Sequence, residues 1–225
     1  MSSPSIAISI VSDVICPWCY IGLTQLQKAM AKFKTIHPDS TITLSWHAFE
    51  LDPDLASLKS TASTPDVTPT VPRAPYYYAK FGGPELAAQR LGMLANRAAA
   101  LGLKIDVLQG VLGPTKLVHE AMVYAAEKGK QTEFMKACFE ATFSRGENIF
   151  GTPEIAKIAD TIEGLSGFEV TQFLEQGKGR SIVANEIHEN RGIGGVPHYT
   201  FNDRYQVSGG QDSETFLKVL EAASR

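Results

Sequence analysis

The clearest pattern at the start of the chain is the alternation of Ile6, Ile8 and Ile10 with Ala7, Ser9 and Val11. A short, largely apolar run of this kind predicts a central strand buried on both faces. Beyond it, Tyr20, Leu23, Leu26, Met30 and Phe33 recur at helical spacing, which predicts an amphipathic helix over Tyr20 to Lys34. That helix stops at His37-Pro38, because the residue before a proline leaves the helical region. After the turn Asp39-Ser40, Ile42, Leu44, Trp46 and Ala48 share one face of the alternating run Thr41 to Phe49, a second strand. The opening unit is therefore β-α-β.

From Ser57 to Pro75 the composition changes to Ser, Thr and Pro. Pro65, Pro69, Pro72 and Pro75 predict a long surface loop without regular structure, either a lid or a disordered segment. Tyr76, Tyr77 and Tyr78 follow it, divided between the core and the edge of a groove. The middle of the chain reads as helices over Pro84 to Leu101, Pro114 to Lys128, Thr132 to Ser144, Thr152 to Ile162, Gly167 to Gln176 and Lys178 to Asn190. Prolines or capping residues open these segments and glycines close most of them. Strands return at His198 to Phe201 and Tyr205 to Val207 around the turn Asn202-Asp203, and a last helix opens at Asp212-Ser213-Glu214 with Phe216, Leu217 and Leu220 inward. The expected fold class is α/β: residues 1–50 and 192–225 make one discontinuous domain, and residues 51–191 make a loop plus an all-helical insertion. The cluster Gly192 to Gly195 lacks the strand, G-x-G-x-x-G and helix order of a phosphate site and reads as a turn.

Composition narrows the function classes. With 225 residues, 44% hydrophobic and 20% charged, the chain can bury a core without staples. A net charge of -3 and the lack of basic runs argue against nucleic acid or an anionic membrane as partner. No apolar stretch reaches membrane-spanning length, and Met1 to Ser5 carry no positive residue ahead of a cleavage site, so the expected location is the cytoplasm. Three cysteines are too few for a disulfide framework.

The candidate chemistry lies in Cys16-Pro17-Trp18-Cys19, between the first strand and the first helix. At a helix N-terminus the unpaired N–H groups and the positive end of the macrodipole stabilise an anion. Cys16 is therefore the expected nucleophile, with a pKa below the free-thiol value of about 8.5. Pro17 suits the first helical position, where its missing N–H costs nothing. Cys19, one turn later, is the expected resolving thiol. A zinc site needs four ligands, and only Cys138 and scattered histidines remain, so no metal is expected. A purely structural bridge over so short a loop would stabilise little. Asp13 either orients the loop, or a proton-transferring water, or serves as a turn residue. Trp18 is either the edge of a substrate platform or a packed ring. Cys138 reads as a small buried hydrophobe, and His47, His119 and His188 as satisfied structural histidines; His198 is an auxiliary candidate because it follows Pro197.

The order of elements resembles the thioredoxin fold with the helical insertion of the DsbA-like group. Asp13-Val14-Ile15-Cys16-Pro17-Trp18-Cys19-Tyr20-Ile21-Gly22, Phe49-Glu50-Leu51-Asp52-Pro53, Gly195-Val196-Pro197 and Tyr205-Gln206-Val207-Ser208-Gly209 are similar to the FrnE-like branch. Its neighbours are 2-hydroxychromene-2-carboxylate isomerases and kappa-class glutathione transferases, which carry serine where Cys16 stands. The resemblance implies that Pro197 is a cis-proline facing the active site and that the backbone of Val196 pairs with an extended substrate or with glutathione. Substrate contacts then fall to Pro17, Trp18, Val196 and Pro197. The implied activity is thiol–disulfide exchange of reductase or isomerase type, with no tightly bound cofactor and glutathione as a cosubstrate. Two rival classes stand beside it: a glutathione-dependent isomerase or transferase on a small aromatic or polyketide-like compound, and a non-catalytic peptide-binding module. An apolar groove edge would also suit a homodimer.

Overall fold

The computed structural model describes residues 4–58 and 68–225. Strand β1 spans Ser5–Ser12. Ile6, Ile8 and Ile10 are fully buried, while Ser5 and Ala7 remain exposed. The second face is covered only from Ser9 onward, where the strand approaches the cysteine loop. Helix α1 covers Pro17–Ile36, and Pro17 takes its first turn as the missing N–H allows. Leu23, Leu26, Ala29 and Phe33 form its buried stripe. The helix closes at His37, whose N–H donates to Phe33 O, and Pro38 cannot extend it. Strand β2, Thr41–Ala48, then runs parallel to β1 with Ser5 opposite Thr41 and Ser12 opposite Ala48.

The loop expected over 57–75 is shorter than its prolines implied. Residues 59–67, with Pro65, lie outside the described residues. Beyond them, β3 (Val71–Pro72) pairs with β4 (Val111–Leu112), and α2 (Arg73–Phe81) follows at once. Both prolines sit where a donor is not needed: Pro72 in a two-residue edge pairing, and Pro75 in the first turn of a helix, whose N–H groups have no intrahelical partner. Arg73 anchors this corner. Its backbone N–H donates to Gly110 O and its Nε to Val111 O at 2.9 Å, while the guanidinium lies 5.0 Å from the Phe143 ring centroid. Burial lowers its pKa to about 10.

The helical run continues through α3 (Pro84–Ala99), α4 (Lys116–Glu127), α5 (Gln131–Phe139), α6 (Thr152–Asp160), α7 (Gly167–Glu175) and α8 (Arg180–Glu189). A π-helical turn, Glu140–Ser144, extends α5. The insertion and the sheet share one apolar core. Phe139 joins them: its ring stacks on Tyr20 of α1 at 5.6 Å and lies 6.4 Å from Trp46 of β2. Trp46 Nε1 also donates to Thr132 Oγ1 at 2.9 Å.

Strand β5 (His198–Phe201) lies antiparallel to β1, and β6 (Tyr205–Ser208) antiparallel to β5, giving the order β2-β1-β5-β6. Asn202 and Asp203 turn the hairpin with φ of 48° and 55°, the left-handed pair that matches strand twist and that these residues tolerate. Helix α9 (Ser213–Ala223) is capped by the Asp212 side chain, which accepts from Thr215 N–H. It buries Phe216, Leu217 and Leu220 and packs along α1. Because α9 thus braces the helix that carries the cysteines, Leu220→Ala is expected to cost about 2–5 kcal/mol. A lower urea midpoint with an unchanged m-value would register it.

Candidate active site

Strand β1 delivers the chain into a short buried loop that ends at Cys16. Asp13 organises this loop. Its carboxylate is fully buried and accepts from Leu51 N–H at 2.7 Å and Ile15 N–H at 3.4 Å. The Asp13 carbonyl accepts from Cys16 N–H at 3.1 Å. His119, on α4, closes the arrangement with Nε2 at 3.0 Å from Phe49 O and 3.6 Å from Asp13 Oδ1. A carbonyl only accepts, so Nε2 carries the hydrogen, and Nδ1 is left buried without a partner. The residue pattern treated His119 as an ordinary core histidine. Its one signal, a lone histidine among Val118, Ala121, Met122 and Ala125, does not point to an acid about a hundred positions upstream.

The two cysteines occupy different environments. Cys16 is the N-cap of α1, and its thiol donates to Val196 O at 3.4 Å. The Val196-Pro197 bond is cis, Pro197 is buried, and Pro197 O accepts from Gly209 N–H at 2.8 Å. Both thiols are buried, Cys16 at 4% exposure and Cys19 at 1%. Burial, and then the neighbouring Cys16 sulfur, hold the Cys19 pKa well above the ordinary thiol value, so at neutral pH Cys19 keeps its proton. Both are free thiols, as is Cys138. Cys138 is wholly buried on α5, where desolvation pushes its thiol up strongly.

Around the pair, Pro17 is half-buried and Trp18 is exposed beside Cys16. Gly22 explains the last letter of the opening motif. A Cβ there would collide with the Tyr199 hydroxyl and would stand 3.2 Å from Pro197 Cγ and 3.3 Å from Gly210 Cα. Three elements therefore meet at this glycine: α1, the proline loop leading into β5, and the β6–α9 turn. Gly210 is equally confined, since a Cβ there would lie 2.9 Å from Trp18 O. His198 points elsewhere: its Nδ1 pairs with Ser208 Oγ at 3.0 Å, and among the described residues no hydrogen bond joins it to the thiols. His47 pairs with Glu186 at 2.9 Å. Tyr77 on α2 was expected only as one of three tyrosines divided between core and edge. It is within electrostatic reach of Cys16, Asp13 and Arg73, and burial raises its phenol pKa. Among the described residues no group of three or more His, Cys, Asp or Glu is placed to hold a metal ion, and no helix is long and apolar enough to cross a membrane.

The thiol asymmetry predicts an order of labelling. With limited iodoacetamide at pH 7 the native protein should take one label at Cys16, with Cys19 and Cys138 modified only after unfolding; peptide mass mapping checks this. The crowding at Gly22 predicts that Gly22→Ala destabilises the fold by about 1–3 kcal/mol. Adding Tyr199→Phe should recover part of that loss in urea titrations.

Comparison with known proteins agrees with this architecture. The model of the DSBA-like thioredoxin domain matches residues 7–221. The uncharacterized protein YwbO of Bacillus subtilis is 22% identical over 220 residues, covering 96% of each chain. The crystal structure of a probable DsbA oxidoreductase from Streptomyces coelicolor superposes with a TM-score of 0.79 at 27% identity, over 97% of this chain and 89% of that one. The cytosolic disulfide reductase DsbM from Pseudomonas aeruginosa, in its structure with GSH, gives 0.62 at 15% identity over 96% and 98%. A family match over nearly the whole chain, on a sheet and helix order that carries two thiols against a cis-proline, means that this protein belongs to the DSBA-like thioredoxin domain family.

Proposed function

We propose that the protein is a thiol–disulfide oxidoreductase of reductase or isomerase type, with Cys16 as nucleophile and Cys19 as resolving thiol. The observation that carries this reading is the pairing of an N-cap cysteine, seated on the carbonyl before cis-Pro197, with a second cysteine that is buried and protonated one turn along the helix. The first thiol lies where backbone N–H groups face an anion, and the second thiol is kept from competing for substrate. Cys16 attacks a substrate disulfide, one substrate sulfur leaves, and Cys19 then displaces the other from Cys16. Val196 O is the backbone acceptor that an extended substrate would meet, with Pro17, Trp18 and Pro197 flanking it. Asp13 holds the loop through its hydrogen bonds. Trp18 adds bulk but no charge between the cysteines, which favours an intermediate potential and therefore net reduction or isomerisation in the cytoplasm. Glutathione is the proposed electron donor, a reading that the GSH complex of the Pseudomonas reductase makes natural.

Equilibration in graded glutathione buffers, followed by alkylation and mass analysis, tests this directly. The expected result is a cooperative two-thiol transition between about -180 and -270 mV, abolished in Cys16→Ser. A pair that stays as thiols, or as a glutathione mixed disulfide, at every ratio would sink the dithiol mechanism.

A further inference from the structure

The hydrogen bond that joins the Cys16 thiol to the loop before β5 depends on the redox state of the pair. Cys16 Sγ stands 3.4 Å from Val196 O and donates to it. Among the described residues this is the only hydrogen bond that Val196 makes: its own N–H donates to nothing, and no N–H donates to its carbonyl. The next carbonyl is already paired, since Pro197 O accepts from Gly209 N–H at 2.8 Å. Val196 is half-buried, and the chain before it has room beside it, because a Cβ at Gly192, Gly194 or Gly195 would meet no atom within 4 Å. Val196 thus brings to the thiol an unpaired N–H and a carbonyl whose one bond comes from Cys16. That bond exists only in the dithiol. A sulfur in a disulfide carries no hydrogen, so oxidation leaves Val196 O without its donor, and the carbonyl gains from any N–H that replaces it.

We propose that the Cys16 thiol competes with the backbone N–H of a docked peptide for Val196 O, so that a docked chain makes the cysteine pair a stronger reductant. The inference rests on the dithiol reading and adds a regulation of the same site. In the dithiol, a peptide N–H must share Val196 O with the S–H or displace it. When a substrate disulfide is reduced, its S–S bond breaks and the Cys16–Cys19 bond forms. Two electrons pass from the protein thiols to the substrate sulfurs, which take up the two protons released. Val196 O then has no donor of its own, and the N–H of the chain takes the vacated place. The chain therefore binds the disulfide form more tightly than the dithiol. Linkage makes this reciprocal: whatever binds the disulfide form better stabilises it and lowers the reduction potential of the pair. Reduction of the pair by glutathione reverses the sequence, because it returns the hydrogen to Cys16, and the S–H again competes for Val196 O and favours release of the chain. A thiol is a weak donor and a carbonyl has two lone pairs, so the coupling is graded and modest.

A short blocked peptide of alanines around one S-methylcysteine tests the competition, because its N–H groups are free and its sulfur cannot exchange. In calorimetric titrations it should bind the disulfide form about fivefold more tightly than the dithiol. Cys16→Ala, which has no donor at this place, should bind it like the disulfide form. The N-methylated analogue of the peptide, which cannot donate, should not distinguish the forms. On the wild type alone, saturating peptide should lower the midpoint of the two-thiol transition by about 20 mV, that fivefold ratio converted at about 30 mV per factor of ten. If the peptide binds both forms equally, binds neither, or prefers the disulfide form even when N-methylated, the competition for Val196 O is wrong and the dithiol reading stands. If the wild type shows no two-thiol transition with or without peptide, the dithiol reading fails and the coupling with it.

Discussion

A carboxylate removed from water must have its lone pairs satisfied, and Asp13 meets that requirement with N–H groups from its own loop and from the segment after β2. Leu51 N–H comes from just beyond β2 and Ile15 N–H from the cysteine loop, while His119 of α4 stands 3.6 Å from the carboxylate and donates to Phe49 O. The direction in which Cys16 leaves β1 is set by those bonds. So is the approach of the insertion to the sheet, since the same histidine holds Phe49 O. The helix that follows is then fixed from the other side by α9 and by the contact of Gly22 with Tyr199, Pro197 and Gly210. The cysteine pair is thus held at a junction and not on a free loop, which suits exchange chemistry that depends on the alignment of three sulfurs.

Within that junction both thiols are buried, Cys16 at 4% and Cys19 at 1% exposure, and they differ in their neighbours. Cys16 caps the helix, and its thiol donates to Val196 O. Cys19 is one turn further along the helix, where the cost of creating charge keeps it protonated. Cys138 shows the same effect without the neighbours: buried in an apolar helix face, its thiol is pushed up by desolvation alone. A thiol in such surroundings behaves as a small apolar side chain.

Much of this was readable from residue order. Period-two alternation placed β1 and β2, helical spacing and Pro38 bounded α1, and Asn202-Asp203 marked the hairpin turn, because each signal is local and its physics acts within a few residues. The proline-rich segment misled for a related reason. Proline removes a donor, but whether the donor is missed depends on where the strand and helix begin, and the pairing of Val71–Pro72 with Val111–Leu112 is a tertiary fact. Arg73, buried over Phe143 and bonded to the carbonyl of Val111, is invisible in sequence for the same reason. His198 was singled out for its place in the chain, next to Pro197, but strand alternation turns it toward Ser208.

By itself the sequence determined the elements, the two-cysteine motif at a helix start, and through its resemblance the fold family and the cis-proline loop. These depend on local periodicity, capping and motif identity. Only the tertiary structure decided which side chains surround the thiols: Tyr199 within electrostatic reach of both cysteines, Asp13 with His119 under the loop, and Tyr77 from the insertion. Those neighbours lie up to 186 positions apart, Asp13 and Tyr199 among them. Their proximity follows from how the sheet closes and how the insertion packs, and neither is written in the spacing of residues along the chain.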